Sequence, residues 1–231
     1  MLFVATWLVH LRIAEALADK LDLDRGAFYA GNIGADCGLP TENGFQPPKE
    51  ITHWAEHKSE CDYMRFKSEY IDNEDNALRL SFYWGYFVHL MTDCMWSNNI
   101  NSPTKERFSQ LYAADREEFY RLVKRDWYDN DFLFLEEHPD YQPLYVLRDA
   151  ELPKDLLTYY KDDNIAVQQK NIFDFYMESG EQAFYNGSRK EIHREYLYLS
   201  AQQYELFVST AVRHISAEMT KYFQMVDEPT N

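Results

Sequence analysis

His89 and Asp93 lie four residues apart in the segment WGYFVHLMTD, among aromatic and aliphatic residues. Residues with this spacing project from the same face of an α-helix, so the two side chains would lie one above the other. A carboxylate buried in apolar surroundings is costly unless a cation or hydrogen bonds compensate its charge. The pair therefore indicates either a metal site or an exposed edge of the helix.

Further imidazoles and carboxylates occur in the first part of the chain. His10 lies in the apolar opening stretch, Asp36 in the glycine-bearing segment GNIGADCG, and His53 four residues before His57. Imidazole and carboxylate suit zinc and related divalent metals, and the glycines would let the backbone approach an ion. Taken singly, His10 also fits a hydrogen-bonded core or surface histidine, and we interpret His57 as part of a solvated face.

The elements that must position these residues are predicted to be α-helices. Apolar residues recur at helical spacing, glycine and proline number only 8 each, and no long period-two alternation occurs. The sequence therefore predicts an all-α, single-domain multi-helix bundle over residues 1–231. Residues 1–97 would carry the candidate site, and residues 98–231 would form a lid or a partner-binding surface. The predicted helices are 2–20, 48–60, 62–72, 75–97, 103–126, 151–161, 163–185 and 189–225.

Two segments interrupt the predicted helices. Residues 26–50, GAFYAGNIGADCGLPTENGFQPPKE, contain five of the 8 glycines and three of the 8 prolines, and we interpret them as a long functional loop. Residues 126–143, DWYDNDFLFLEEHPDYQP, are acidic and aromatic and are expected to break the preceding helix. Their carboxylates are interpreted either as an exposed acidic turn or as an alternative source of metal ligands: Asp126, Asp129 and Asp131.

Charge and composition argue against several classes of protein. The chain has 39 acidic and 23 basic residues, a net charge of −16 and no cluster of bases, so nucleic acid and anionic membranes are not expected partners. Cys37, Cys61 and Cys94 form no CxxC spacing and predict free thiols in the cytoplasm. The opening MLFVATWLVHLRIAEAL lacks a basic n-region and a convincing cleavage site, so no signal peptide is expected. No apolar stretch is long enough to predict membrane insertion.

The order of these residues resembles the zinc-dependent phospholipase C family, whose fold is shared with single-strand-specific zinc nucleases. The matching segments lie within residues 5–97 and read TWLVHLRIAEAL, FYAGNIGADCG, KEITHWAE and WGYFVHLMTDCMW. The resemblance implies that one metal ion is held by four side chains: Asp36, His53, His89 and Asp93. It also implies that His10 helps to hold a second ion, with Asp93 bridging the two.

The resemblance is incomplete in two places. Secreted members of the family begin with a tryptophan whose amino group and carbonyl complete the second metal site, whereas Trp7 is internal here. The family's third zinc requires a histidine soon after the HxxxD pair, where this chain has Asn98 and Asn99, and then a histidine and an acid four residues apart. That later spacing is met by His214 and Glu218, which we interpret as an ordinary surface pair.

The chemistry that the resemblance implies is metal-assisted hydrolysis of a phosphate ester by an activated water. Asp36 would both ligate the metal and orient that water. The expected cofactor is one or two zinc ions, or another divalent transition metal, and the expected substrate is a small phosphate ester. An HD-type phosphohydrolase is excluded because none of the 7 histidines is followed by aspartate. A non-enzymatic alternative stays open, in which an acidic helical protein keeps a structural or degenerate metal site and binds a partner.

Overall fold

The computed structural model describes residues 5–18, 20–42, 44–55, 61–161, 163–178 and 195–226. Its α-helices are α1 (Trp7–Ala18), α2 (Arg25–Asn32), α3 (Lys49–Thr52), α4 (Tyr63–Phe66), α5 (Ala77–Trp96), α6 (Ser102–Arg107), α7 (Ser109–Ala114), α8 (Arg116–Glu137), α9 (Gln142–Asp149), α10 (Asn164–Phe173) and α11 (Ala201–Val226). Turns of π-helix continue α4, α5 and α10 over Lys67–Ile71, Ser97–Asn101 and Asp174–Glu178. The strands β1 (Leu39–Thr41) and β2 (Gly44–Gln46) form a short antiparallel hairpin. The all-α prediction is confirmed, and no helix in these ranges is long and apolar enough to cross a bilayer.

Helices α2 and α5 pack with their backbones in contact at two glycines. A Cβ atom at Gly31 would overlap the Phe82 carbonyl oxygen on α5, and one at Gly85 would overlap the Phe28 carbonyl oxygen on α2. Any larger side chain at either position would force the helices apart, because a packed interior has no room to absorb it. The Asn32 side-chain amide donates to the Gly85 carbonyl at 3.1 Å and fixes the end of α2 against α5.

Short elements replace the loop predicted over residues 26–50. Asp24 caps α2 through its Oδ1, which accepts a hydrogen bond from the Ala27 backbone N–H at 2.8 Å. A turn of 3-10 helix over Gly34–Asp36 and the hairpin follow. The loop prediction was wrong because it treated glycine as a loop signal, whereas Gly31 permits the close helix contact.

The N-terminal helices match their predictions unevenly. The helices predicted over 62–72 and 75–97 are confirmed by α4 with its π-helical turn and by α5. The helix predicted over 2–20 begins only at Trp7, after two non-helical described residues. The helix predicted over 48–60 was too long, since α3 ends at Thr52; residues 56–60 of that prediction lie outside the described residues.

Side-chain contacts hold the segment that was predicted as a helix over residues 151–161, and that prediction was wrong. The Asp155 carbonyl accepts a hydrogen bond from the Arg79 guanidinium at 3.0 Å, and the Leu156 carbonyl accepts one from the Tyr83 hydroxyl at 2.8 Å. These contacts tie the segment to α5, and residues 151–161 form turns and irregular structure.

Two further predicted helices are shorter or interrupted. The helix predicted over 103–126 is divided among α6, α7 and α8, with breaks at Phe108 and Asp115. Asp115 starts α8 because its side chain accepts a hydrogen bond from the Glu118 N–H at 2.9 Å. Within the helix predicted over 163–185, α10 and its π-helical turn account for the part that the structure describes.

The last helix starts later than the predicted 189–225. Ser200 Oγ accepts a hydrogen bond from the Gln203 N–H at 3.2 Å, and Gln203 Oε1 accepts one from the Ser200 N–H at 3.0 Å. This reciprocal pair is a capping box, so α11 begins directly after Ser200. Residues 195–200 are not helical, and residues 189–194 lie outside the described part of the chain.

Helix α8 runs through the start of the acidic stretch at 126–143, so the expected helix break there was wrong. The expectation of an exposed acidic turn was also wrong, because all three carboxylates are buried: Asp126, Asp129 and Asp131. The Oδ2 atom of Asp126 accepts a hydrogen bond from the Tyr198 backbone N–H at 2.7 Å. Partners distant in the sequence therefore replace water around this buried charge.

Asp131 accepts hydrogen bonds from three hydroxyl groups. The donors are Tyr204 at 2.6 Å, Tyr176 at 2.7 Å and Thr6 at 2.8 Å. Burial raises the pKa of Asp131 to about 6, although these hydrogen bonds and the charge of Arg12 oppose the rise. The network joins α8 to α11, to the turn after α10 and to the segment that leads into α1.

Gly85→Ala should lower the free energy of unfolding by about 2 kcal/mol or more, because the added methyl group overlaps helix backbone rather than a flexible side chain. Urea denaturation followed by circular dichroism measures this loss. Gly26→Ala is the comparison, since a Cβ there would meet the Ala150 Cβ at 3.0 Å and can be accommodated by a smaller shift. Equal denaturation midpoints for Gly85→Ala and the parent would contradict the close contact between α2 and α5.

Asp131→Asn should change how stability depends on pH. The pKa of Asp131, about 6 when folded, exceeds the value of about 4 in an unfolded chain, so the folded state binds more protons between these values. Its contribution to stability is therefore greatest below about pH 4 and falls as the pH rises towards about 6. The stability difference between parent and variant should change by about 2 to 3 kcal/mol across that window, measured by denaturation at several pH values. A difference that is constant with pH would rule out a raised pKa.

Candidate metal centre

Five side chains from separate segments converge in one buried group, which we call the His–Asp cluster. Its members are His10 on α1, Asp36 on the 3-10 turn, His53 at the end of α3, and His89 and Asp93 on α5. Ligand atoms of His10, Asp36 and His89 lie within 4.8 Å of one another, as do those of His53, His89 and Asp93. The structure thus brings together all five residues that the sequence analysis proposed as metal ligands.

Asp93 lies at the centre of the cluster and faces three imidazoles. The Nε2 atom of His10 is 3.3 Å from Asp93 Oδ1, and the Nε2 atoms of His53 and His89 are 3.4 and 3.2 Å from Oδ2. The Ala5 backbone N–H donates to Oδ1 at 2.9 Å. The rings of His10 and His89 stack with their centroids 4.0 Å apart. Three ring nitrogens are therefore directed at one buried carboxylate.

Hydrogen bonds at the other ring nitrogen orient His53 and His89. The Nδ1 atom of His89 is 2.9 Å from the Asn32 carbonyl oxygen, and that of His53 is 3.1 Å from the Lys49 carbonyl oxygen. Because a carbonyl oxygen can only accept, Nδ1 of His89 carries the proton, and Nε2 of its neutral ring bears the lone pair. Nδ1 of His53 also lies 3.0 Å from the Thr52 hydroxyl, so two neighbours hold that ring with Nε2 towards the cluster. Metal-binding histidines are commonly oriented in this way. Both rings therefore present a ligand atom to the cluster.

Distances within the cluster fit a shared cation better than direct hydrogen bonds. Charge-assisted N–H···O bonds are about 2.7 to 2.9 Å long, whereas the three imidazoles stand 3.2 to 3.4 Å from Asp93. Two ligands at about 2.0 to 2.1 Å from a tetrahedral zinc ion lie about 3.3 Å apart. Among the described residues, Asp93 Oδ2 and the Nε2 atoms of His10, His53 and His89 have no hydrogen-bond partner. Zinc would satisfy these buried atoms.

Lys49 connects the cluster to solvent. Its ammonium group is 2.9 Å from Asp36 Oδ1, and His53 Nε2 is 3.6 Å from the same oxygen. The Lys49 side chain is 26% exposed, whereas those of His10, His53 and His89 are fully buried. Lys49 is thus a partly exposed side chain in direct contact with the buried cluster.

The two carboxylates of the cluster are held in their ionised form. Burial opposes the charge on Asp36, but Lys49 and His53 outweigh it and keep the pKa of Asp36 well below its usual range. Burial also opposes the charge on Asp93, and the imidazoles led by His89 keep the pKa of Asp93 well below its usual range. Ionised carboxylates are the form that binds a metal ion.

Burial and the charges of the cluster shift the pKa values of two of its imidazoles in opposite directions. Burial, assisted by the charge of His89, lowers the pKa of His10, although Asp93 and Asp36 oppose this. At His53 burial also favours the neutral ring, but the nearby carboxylates of Asp36 and Asp93 outweigh it and raise the pKa of His53. Protons therefore compete with a metal ion more strongly at His53 than at His10.

The end of α3 fixes the position of His53. The Ala55 N–H donates to the Glu50 carbonyl at 3.1 Å, a bond of the Schellman type that closes the helix with His53 as its C-cap. The next residue, Trp54, has φ of 54°, in the left-handed region that glycine normally occupies at this position. The Trp54 ring packs edge-on against Phe66 with the centroids 5.5 Å apart. Packing of this ring offsets the backbone strain beside a candidate ligand.

Other proposed ligands do not join the cluster. His214 is exposed on α11, and Glu218 accepts a hydrogen bond from a lysine on the same helix, as expected for surface residues. Asn98 and Asn99 are exposed on the turn that continues α5. The groups of potential metal ligands in the described ranges include none of these four. His57 lies outside the described residues.

The sequence analysis missed two residues that orient the cluster. Lys49 lies four residues before His53. This spacing brings the Lys49 carbonyl to the His53 ring only if a helix joins the two residues, and the bounds of the short helix α3 were not known from the sequence. Asn32 meets His89 through a backbone carbonyl, which any residue type could supply. No side-chain pattern therefore pointed to Asn32.

His89→Ala and Asp93→Ala should each weaken zinc binding at least about tenfold and lower the melting temperature, because the remaining buried groups lose their shared cation. Zinc content after dialysis and thermal unfolding measure the two effects. His214→Ala, which removes an exposed imidazole, is the matched control and should behave as the parent does. Parent-like zinc content in both cluster variants would mean that the ion binds elsewhere.

Comparison with known proteins gives one match. The family model described as zinc-dependent phospholipase C matches residues 9–134, more than half of the chain. This match includes all five members of the His–Asp cluster and extends past residue 97, where the resemblance seen in the sequence ended. Searches of curated proteins and of solved structures gave no match. The chain belongs to the zinc-dependent phospholipase C family.

Proposed function

We propose that this protein is a zinc-dependent hydrolase of phosphate esters whose metal is held by the His–Asp cluster. The observation that carries the proposal is the convergence of three imidazole nitrogens and two ionised carboxylates in one buried site. Two of the imidazoles, His53 and His89, are held at Nδ1 by backbone carbonyls, which leaves their Nε2 atoms facing the cluster. Membership of a zinc-dependent family supports zinc as the ion.

The two oxygens of Asp93 suggest how the ligands are shared. Oδ2 faces His53 and His89, whereas Oδ1 faces His10. We therefore propose that His53, His89 and Asp93 hold one ion together with Asp36. His10 would help to hold a second ion on the other side of Asp93, which would then bridge the two metals. The number of ions bound is a direct test of this division.

Asp36 is proposed to position the attacking water. Bound zinc would lower the pKa of a water molecule towards about 7 and offset negative charge on the phosphate oxygens. Asp36 is the cluster carboxylate with more exposure, 9% against 2% for Asp93, so it lies nearer to the path of substrate and water. Its low pKa keeps it ionised, as a hydrogen-bond acceptor for that water, while Lys49 holds its Oδ1 in place.

The proposed substrate is a small phosphate ester rather than a nucleic acid. A chain with a net charge of −16 would repel an extended polyanion, whereas a small ester needs only the local charges of the site. We also propose a cytoplasmic location, which is supported by free thiols at Cys37, Cys61 and Cys94.

Turnover of defined esters tests the proposed activity. Zinc-loaded protein should hydrolyse at least one of p-nitrophenyl phosphate, bis-p-nitrophenyl phosphate and dispersed phosphatidylcholine, should lose activity to a chelator and should recover it with zinc. His89→Ala and Asp93→Asn should reduce kcat/KM at least about 100-fold through loss of the metal, and His214→Ala should have no effect. A zinc-loaded parent that turns over none of the three would favour the binding-protein alternative.

A further inference from the structure

We propose that Asp131 is a positioning residue for the His10 side of the His–Asp cluster. It acts through two hydroxyl groups, those of Thr6 and Tyr176, which fix the first turn of α1. The part of this inference that concerns metal rests on the proposed two-ion site. The positioning itself is measured by amide exchange, whatever the number of ions, so the two proposals can fail separately.

The segment that leads into α1 is held between two buried carboxylates. The Ala5 backbone N–H donates to Asp93 Oδ1 at 2.9 Å. The next residue, Thr6, donates through its hydroxyl to Asp131 Oδ1 at 2.8 Å. All four residues are buried, so neither hydrogen bond is easily exchanged for one to water. Two adjacent residues therefore join the cluster to Asp131.

Both oxygens of Asp131 contribute to holding the first turn of α1. The first N–H groups of an α-helix have no partner within the helix. In α1 the Val9 N–H donates to Thr6 Oγ1 at 3.4 Å, and the Leu8 N–H donates to a tyrosine hydroxyl at 3.2 Å. That tyrosine, Tyr176, donates in turn to Asp131 Oδ2 at 2.7 Å. Two hydroxyl groups thus connect the start of α1 to one carboxylate, whose negative charge also suits a helix N-terminus.

This first turn leads directly to His10. The His10 backbone N–H donates to the Thr6 carbonyl at 3.2 Å, as the next step of the helix. From this position, His10 Nε2 lies 3.3 Å from Asp93 Oδ1, the oxygen that also accepts the Ala5 N–H. A shift of Thr6 would therefore move both groups that face this oxygen.

His10 lacks the hydrogen bond that orients the other imidazoles of the cluster. Among the described residues its Nδ1 atom has no hydrogen-bond partner, whereas Nδ1 of His53 and Nδ1 of His89 each lie beside a backbone carbonyl. The His10 ring is instead placed by its stacking on His89, with centroids 4.0 Å apart, and by the position of α1 itself. Anchoring of α1 takes the place of the usual hydrogen bond behind a metal-binding histidine.

Tyr204 offers a matched control for this role. Its hydroxyl donates at 2.6 Å to Asp131 Oδ1, the oxygen that also accepts from Thr6, but it belongs to α11. Thr6→Val and Tyr204→Phe each remove one buried hydroxyl donor and keep most of the side chain. A purely structural role of the Asp131 network predicts similar effects of both changes at the cluster. Positioning of α1 predicts an effect of Thr6→Val alone.

Amide hydrogen exchange in the full-length chain as purified measures the positioning directly. Thr6→Val should speed the exchange of the Ala5 amide about tenfold relative to amides in the middle of α5, because the segment beside Asp93 loses an anchoring hydrogen bond. Tyr204→Phe should stay within about threefold of the parent. Thr6→Ser keeps the hydroxyl and should restore the protection of the parent.

Zinc titration against a competing chelator tests the part that concerns metal. The parent should bind two ions, and the ion lost in His10→Ala is the one on the His10 side. Thr6→Val should weaken this ion about tenfold and leave the other within about threefold of the parent, because only the support of one ligand is removed. Thr6→Ser and Tyr204→Phe should match the parent.

Several outcomes would overturn the inference. Unchanged Ala5 exchange in Thr6→Val would do so, as would equal effects of Thr6→Val and Tyr204→Phe. Faster Ala5 exchange with unchanged affinity for both ions would overturn the role in metal binding. If Thr6→Val does not fold, Tyr176→Phe decides by the same measurements. A parent with one ion, and faster exchange in Thr6→Val alone, would support the positioning and remove the second ion from the proposed function.

Discussion

The buried carboxylate of Asp93 is the constraint on which the rest of the structure depends. It receives one backbone N–H, from Ala5, and otherwise faces the Nε2 atoms of three histidines at distances too long for strong hydrogen bonds. An ionised group in such a position is tolerated only when a cation compensates it. The simplest arrangement that satisfies the carboxylate and the imidazoles together is a metal ion between them, and the residues available suit zinc.

The packing of α2 on α5 is what orients His89 as a candidate ligand. Gly31 and Gly85 let the two helix backbones touch, and this contact brings the end of α2 level with His89. The Asn32 carbonyl then accepts the Nδ1 proton of that ring and leaves the Nε2 lone pair facing Asp93. The close contact of α2 with α5, which the glycines permit, therefore sets the orientation of the His89 ring through its hydrogen bond to the Asn32 carbonyl.

The candidate site was more predictable from the sequence than several of the helices. The candidate ligands could be identified because i, i+4 spacing on one helix and an ordered series of histidines and aspartates are local patterns, and they resemble a known family. Gly31 misled because its role, close packing of α2 on α5, involves a helix some fifty residues away. Asp126 and Asp131 misled for the same reason, since their partners Tyr198 and Tyr204 follow more than seventy residues later. Local sequence identifies candidate ligands, but it does not reveal which polar groups a distant segment will satisfy.

X-ray absorption at the zinc edge tests the central claim most directly, because it reports the atoms that surround a bound ion. The structure predicts a first shell of nitrogen and oxygen at about 2.0 to 2.1 Å, with the outer-shell scattering typical of imidazole, in the zinc-loaded protein. The Cys37 thiol donates to the Ile33 carbonyl at 3.4 Å, and the groups of potential ligands among the described residues contain no cysteine, so no sulfur ligand is expected. A zinc–sulfur distance of about 2.3 Å, or a shell without imidazole, would contradict the account.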